Sequence, residues 1–264
     1  MKYAFVNNEK VEATKGVKGL CPSCGSELIA RCGERKVNHW AHKGNRNCDR
    51  WWETETEWHR SWKDKFPKSW QEIVHFDENG EKHIADVKTV QDWTLEFQHS
   101  YLKPEERRAR DTFYPKLVWI VDGIRRKRDK IQFYKLLNDG LPINIKPWLY
   151  KVFIEDSSLL KEWSTCRAPV IFDFENENNP EILSHLWCLI PNKDDTWAYI
   201  TPFNREGFIT LHRDNSEEAK ENFEQVIMSF SKIITHYQSR QRSQQINQFV
   251  IKKPRYRRRR SRRL

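Results

Sequence analysis

The chain has 264 residues with 47 Lys and Arg against 37 Asp and Glu, a net charge of +10, and is 38% hydrophobic. It is long enough for one large domain or two smaller ones with a real core, and its longest apolar run, residues 117–121, falls far short of the roughly 18–20 residues that cross a bilayer. A membrane span is excluded, and the first ten residues hold no sustained apolar stretch or small-residue cleavage site, so a cytoplasmic protein is expected.

Residues 1–50 read as a small metal-stapled region. Of six cysteines, Cys21, Cys24, Cys32 and Cys48 cluster beside His39 and His42, while Cys166 and Cys188 stand alone. Such clustering favours a metal over disulfides in a cytosolic chain. In Cys21-Pro22-Ser23-Cys24-Gly25 the two-residue spacer lets both thiolates turn around one ion as a zinc knuckle. The second ligand pair is expected to be His42 and Cys48, with His39 and Cys32 in reserve. Four N/S ligands leave no open position, so this Zn²⁺ would be structural, holding together a segment too small for its own core.

Residues 51–124 carry the chemistry. Residues 53–66 lack Gly and Pro, and Trp58, Trp62 and Phe66 recur at a spacing of four, which predicts an amphipathic helix. Glu55, His59 and Lys63 recur at the same spacing and form a neighbouring polar stripe. Two β-prone runs, 71–77 and 82–90, flank Asn79-Gly80, a hairpin signal, and a third covers 94–98. Pro104 followed by two acids opens a helix to about residue 113, and residues 117–122 form a buried strand. The predicted order is helix, three-strand meander, helix, strand. Residues two apart on a strand share a face, so Ile84, Asp86 and Lys88 point one way, as do Glu96 and Gln98. Acids at alternate strand positions often face water. Inside strands this apolar they are costly to bury unless they bind something. Two carboxylates on adjacent strands repel, and a hard cation such as Mg²⁺ relieves the repulsion.

Residues 125–250 read as a second α/β domain. A basic knot at 125–128 precedes a short helix over 130–138. Strands are expected at 149–154, 169–174, 182–190, 197–200 and 207–212, and a long helix over 216–245. The segment has no nucleotide-binding glycine loop and no nucleophile elbow. Residues 251–264 form a basic tail. From Lys252 onward it holds nine Lys and Arg and no acid, leaving 38 basic against 37 acidic side chains in the rest of the chain. So dense a charge is expected to stay disordered until a polyanion neutralises it. Arg255, Arg257, Arg258, Arg259, Arg260, Arg262 and Arg263 are the expected nucleic-acid contacts, with a log-log salt slope of roughly −0.9 per phosphate on duplex DNA.

Several of these pieces together resemble the competence protein CoiA-like family of the PD-(D/E)xK nuclease superfamily. They are Cys21-Pro22-Ser23-Cys24 with His39-Trp40-Ala41-His42, Glu55-Thr56 with His59 and Lys63, and Ala85-Asp86-Val87. Glu96-Phe97-Gln98-His99-Ser100 follows, then Arg110, Tyr114 and the Trp119 strand. The resemblance runs from about residue 20 to 123, with weaker similarity at 170–174 and 207–209. It implies a restriction-endonuclease-like core with an N-terminal zinc ribbon and a C-terminal α/β domain. It further implies Asp86 and Glu96 as ligands of a catalytic Mg²⁺ or Mn²⁺, with Glu55 joining through the metal or its water. Such a metal activates water for attack on a phosphodiester. One departure is Gln98, where much of the superfamily has lysine. Lys88 or Lys63 then supplies the missing charge. His59, Arg110 and Tyr114 are weaker candidates, the last two as phosphate contacts. The activity implied is a metal-dependent nuclease acting on DNA. The alternative is a DNA-binding protein of the same fold that no longer cuts and works in DNA uptake, processing or defence.

Overall fold

A computed structural model describes residues 1–34, 36–44, 48–49, 51, 53, 55–145, 148–174, 185–214 and 217–251. The basic tail and its seven arginines lie outside the described residues, as does the start of the strand expected at 182.

The N-terminal region is a five-stranded antiparallel sheet of β1 (Tyr3–Val6), β2 (Glu9–Glu12), β3 (Lys18–Leu20), β4 (Glu27–Arg31) and β5 (His39–His42), in the order β2-β1-β3-β4-β5. Among the described residues, its buried cluster is Ala4, Ala13, Cys21, Leu28 and Trp40, with partly buried side chains such as Val6, Val11 and Ala30 packed against it. Five side chains are a small core for a sheet of this size, consistent with a need for a further staple.

A nine-stranded sheet makes up the rest, joined by α1 (Glu57–Lys63), β6 (Gln71–Phe76), β7 (Lys82–Lys88), β8 (Thr94–Gln98), α2 (Pro104–Phe113) and β9 (Leu117–Asp122). It continues through α3 (Lys127–Asn138), β10 (Leu141–Ile145), β11 (Trp148–Phe153), α4 (Ser158–Trp163), β12 (Val170–Asp173), β13 (His185–Ile190) and β14 (Trp197–Asn204). Two helices, α5 (Arg205–Arg213) and α6 (Glu217–Ile251), close the described chain. The helix, meander, helix, strand order expected for residues 51–124 is present. The β6–β7 hairpin turns at Asn79-Gly80, where Asp77 accepts the amides of Asn79 (2.9 Å) and Glu81 (2.7 Å) and Gly80 takes φ +80°.

The sheet order is β10-β11-β14-β13-β12-β9-β8-β7-β6, with β8, β9 and β12 parallel to one another. β9 is central and buried throughout. Leu117, Trp119 and Val121 enter one core cluster and Val118 and Ile120 the other, as period-two alternation demands of a strand covered on both faces. The sheet therefore crosses the boundary drawn at residue 124, because β12 pairs with β9 through Val170↔Trp119 and Ile171↔Ile120. Among the described residues, those from 125 to 250 add strands to the same sheet and bring no sheet of their own.

Two expectations about elements change. The run at 207–212 is the helix α5, in which the Asn204 side chain caps the Gly207 amide (2.8 Å) and Phe208, Ile209 and His212 turn to the core. The helix expected over 53–66 is shorter and begins at Glu57, because Thr56 caps it. Among the described residues, no helix is long and apolar enough to cross a membrane.

Candidate functional site

A cleft opens where the N-terminal sheet meets α1, β6, β7 and β8. Acids dominate its wall: Asp49, Glu53, Glu55, Glu72, Asp86 and Glu96, against the cations Lys63 and Arg110. Each side chain is placed by a local feature of sequence. The α1 cap is a capping box in which His59 takes the place usually held by Glu or Gln. Thr56 Oγ1 lies 2.7 Å from His59 Nδ1 and accepts the His59 amide, fixing the imidazole at the cleft wall. The apolar stripe docks the helix: Trp62 and Phe66 are buried, and the Trp58 and Trp62 indoles donate to Asp173 Oδ2 at 3.2 and 2.8 Å. The polar stripe is thereby turned toward β6 and β7.

Strand pairing brings Asp86 and Glu96 together. With Val87 opposite Leu95, the Asp86 amide points at Glu96 Oε1 (3.4 Å), and Asp86 Oδ2 accepts the Phe97 amide (2.9 Å). Glu96 is buried beside a second carboxylate. Burial first, then the Asp86 charge, push its acid up to about 8 against the pull of Arg110. Arg110 donates to Glu96 Oε2 (2.9 Å), Glu106 (2.6 Å) and the Trp51 carbonyl (2.7 Å). It braces a site carboxylate from within the core and is not turned outward as the expected phosphate contact. Tyr114 is likewise buried, its hydroxyl without a partner.

Lys63 is the cation set among the cleft carboxylates. Its ammonium lies 3.2 Å from Glu55 Oε2, 3.1 Å from Glu72 Oε1 and 3.0 Å from Asp86 Oδ1. Desolvation opposes that charge, but three carboxylates override it and raise the lysine well above its ordinary value. Lys88 corrects an expectation. Although it shares a strand with Asp86, it reaches the Asp92 carboxylate (2.8 Å) and carbonyl (3.0 Å) and so clamps the β7–β8 turn, away from the cleft wall. Gln98 donates to Glu53 Oε2 (2.7 Å), and the His59 Nε2 stands 3.5 Å from the same oxygen. Glu55 keeps one buried oxygen, Oε1, without a hydrogen-bond partner.

Three acids of the cleft were not among the sequence candidates. Asp49 joins the N-terminal sheet to β7 by accepting from the Ile84 amide (2.8 Å) and pairing with His83 Nδ1 (2.8 Å). Glu53 holds Gln98 and the Ser100 amide. Glu72 is buried; desolvation opposes its charge, but the Lys63 ammonium first, and then hydrogen bonds from the Lys2 and Tyr3 amides, carry its acid down to about 2. Its φ is +48°, a conformation that costs a non-glycine residue on the order of 1–3 kcal/mol and is commonly kept where a site requires it. A signal for Glu72 existed: counting the hairpin back from Asn79-Gly80 sets Gln71 opposite Val87 and Ile73 opposite Ala85, which leaves Glu72 facing Asp86.

A second cluster adjoins the cleft. One ligand atom from each of Cys21, Cys24, His42 and Cys48 lies within 4.8 Å of the others, so this group could hold a metal ion. The Cys21 and Cys48 sulfurs are 3.5 Å apart and Cys24 Sγ is 3.4 Å from His42 Nε2. Burial pushes the Cys21 thiol up to about 12. Cys24 is drawn down to about 6 despite desolvation, by hydrogen bonds from Ser26 and His42. The reserve ligands point elsewhere: Cys32 donates to the Ala13 carbonyl and His39 Nδ1 meets the Val37 carbonyl. His42 and Cys48 also line the cleft, so the two sites share a wall.

Residues 3–50 match the family model described as competence protein CoiA, N-terminal domain. The matched segment contains all four residues of the cysteine–histidine cluster. No curated protein and no solved structure matches the chain.

Proposed function

With a CoiA-type N-terminal domain as the premise, we propose that the protein is a metal-dependent nuclease that hydrolyses phosphodiester bonds in DNA. The observation that carries this reading is the meeting of Asp86, Glu96 and Glu55 with the Lys63 ammonium in one largely buried cleft. The order helix, antiparallel meander, helix, parallel strand agrees with the restriction-endonuclease-like core that the resemblance implies. The donor set suits a hard divalent cation such as Mg²⁺ or Mn²⁺: a carboxyl raised to about 8 by burial and then by the Asp86 charge, and a buried Glu55 oxygen with no partner. Bound there, such a cation supplies Lewis acidity and lowers the pKa of a bound water.

The chain's own groups account for the rest. Asp86 and Glu96 bind the cation, and Arg110 fixes the rotamer of Glu96. Lys63 replaces the lysine absent at position 98, carrying positive charge toward the anionic phosphate oxygens as charge develops. Gln98 holds Glu53 of the cleft wall at 2.7 Å and brings no charge. Three thiols and an imidazole suit Zn²⁺ at the neighbouring cluster, in a closed structural role. The basic tail supplies sequence-independent affinity for DNA.

The alternative, a DNA-binding protein that does not cut, draws on one observation. Lys63 already neutralises Glu55 and Asp86 and could stand where a metal would. A cleavage assay separates the two readings. With labelled linear, circular and single-stranded DNA, cleavage is expected in Mg²⁺ or Mn²⁺, none in EDTA, and none from an Asp86→Ala/Glu96→Ala double variant. Salt-sensitive binding without cleavage in any metal would support the alternative.

A further inference from the structure

The N-terminal sheet and the cleft share more than a wall. Glu72 Oε1 accepts the Lys2 amide at 2.6 Å and lies 3.1 Å from the Lys63 ammonium, while its Oε2 accepts the Tyr3 amide at 2.9 Å. One carboxylate thus binds the first strand of the N-terminal sheet and the only lysine that lines the cleft among the described residues. The Lys2 ammonium adds to the joint by reaching Asp64, just past α1, and Gln71 beside Glu72. The backbone at Glu72 is the left-handed exception inside β6. That conformation carries a cost, and it is kept at the residue whose carboxylate bridges both partners.

We infer that Glu72 is a positioning residue that sets the Lys63 ammonium against Asp86, and that through it the N-terminal sheet becomes a working part of the cleft. The inference rests on the nuclease reading. Lys63 stands between Glu72 and Asp86 at nearly equal distances. Without the Glu72 charge the ammonium, already 3.0 Å from Asp86 Oδ1 and 3.2 Å from Glu55 Oε2, would lose its third anchor and shift further onto the two carboxylates that should bind the cation. With it, the ammonium is held between them. Docking of Lys2 and Tyr3 holds Glu72 in turn, because their amides fix both of its oxygens.

The test is a double-mutant cycle on DNA cleavage in Mn²⁺, with kcat and KM measured for wild type, Glu72→Gln, Lys63→Gln and the double variant, and a thermal melt of each. Glu72→Gln keeps the shape and removes the charge. Its kcat is expected to fall on the order of tenfold to a hundredfold with KM unchanged. The double variant should be no slower than Lys63→Gln alone, because the two act as one unit. A merely structural Glu72 would slow both backgrounds equally, in step with the loss of stability, and that result would overturn the inference. So would wild-type kcat in Glu72→Gln. If that variant does not fold, Glu72→Asp keeps the charge but withdraws it by one methylene, and full turnover from it would equally refute the positioning role. Absence of metal-dependent cleavage by the wild type is a separate outcome that removes the nuclease reading and this inference with it.

Discussion

Lys63 and Lys88 show how far residue-level chemistry depends on direction. Both were candidates for the charge missing at position 98, Lys88 by strand parity with Asp86 and Lys63 by helix spacing from Glu55. Parity gives a face but not where a long side chain ends, and Lys88 finds a nearer carboxylate in Asp92. Lys88→Ala is therefore expected to cleave DNA at close to the wild-type rate, whereas Lys63→Gln should lose on the order of a hundredfold or more in kcat, the scale at which single electrostatic donors act. Rate constants under saturating Mn²⁺ distinguish the two, and the reverse order would return the role to Lys88. Asp86, Glu96, Glu55 and His59 were legible because each repeats on a local period. Glu53 lies outside any period, and Glu72 needed the hairpin register to be counted across strands, so neither stood out.

Local patterns also decided which elements could be read. β8, α2 and β9 follow their sequence signals because alternation, a proline at the helix start and a continuous apolar run each act over a few residues. α5 was misread as a strand since Phe208 and Ile209 look β-prone, while the Asn204 cap that starts the helix lies just outside the run. The start of α1 has a functional consequence. Because Thr56 and His59 cap each other, Thr56→Ala should destabilise the protein by about 1 kcal/mol and free the imidazole at the cleft wall. Urea denaturation gives the first quantity and the His59 ring resonances the second. An unchanged midpoint with an unaltered ring environment would show that the cap carries no load.

At the scale of the whole molecule, the sequence suggested two domains where the structure has one sheet. β9 and β12 pair in parallel across a long stretch of chain, and nothing local signals such a partnership. The N-terminal sheet is separate, with a core of five side chains, and it meets the large sheet through Asp49, Lys2 and Glu72. Stripping metal from the cysteine–histidine cluster with a chelator is thus expected to lower the melting temperature and to speed hydrogen exchange in β3, β4 and β5. The effect should extend to the Ile84 amide, which Asp49 holds one residue beyond Cys48. Unaltered exchange after verified metal loss would mean that the cluster does not support the fold.

The central claim is that Asp86 and Glu96 bind a cation that cuts DNA. The most direct measurement is a single-turnover comparison of wild type and Asp86→Asn on labelled DNA in Mn²⁺, with binding followed in the same reactions. The account predicts that both bind DNA with similar salt dependence and that only the wild type cleaves it, with EDTA abolishing the cut. Equal cleavage by the two proteins, or binding by the wild type with no cleavage in any divalent metal, would contradict it.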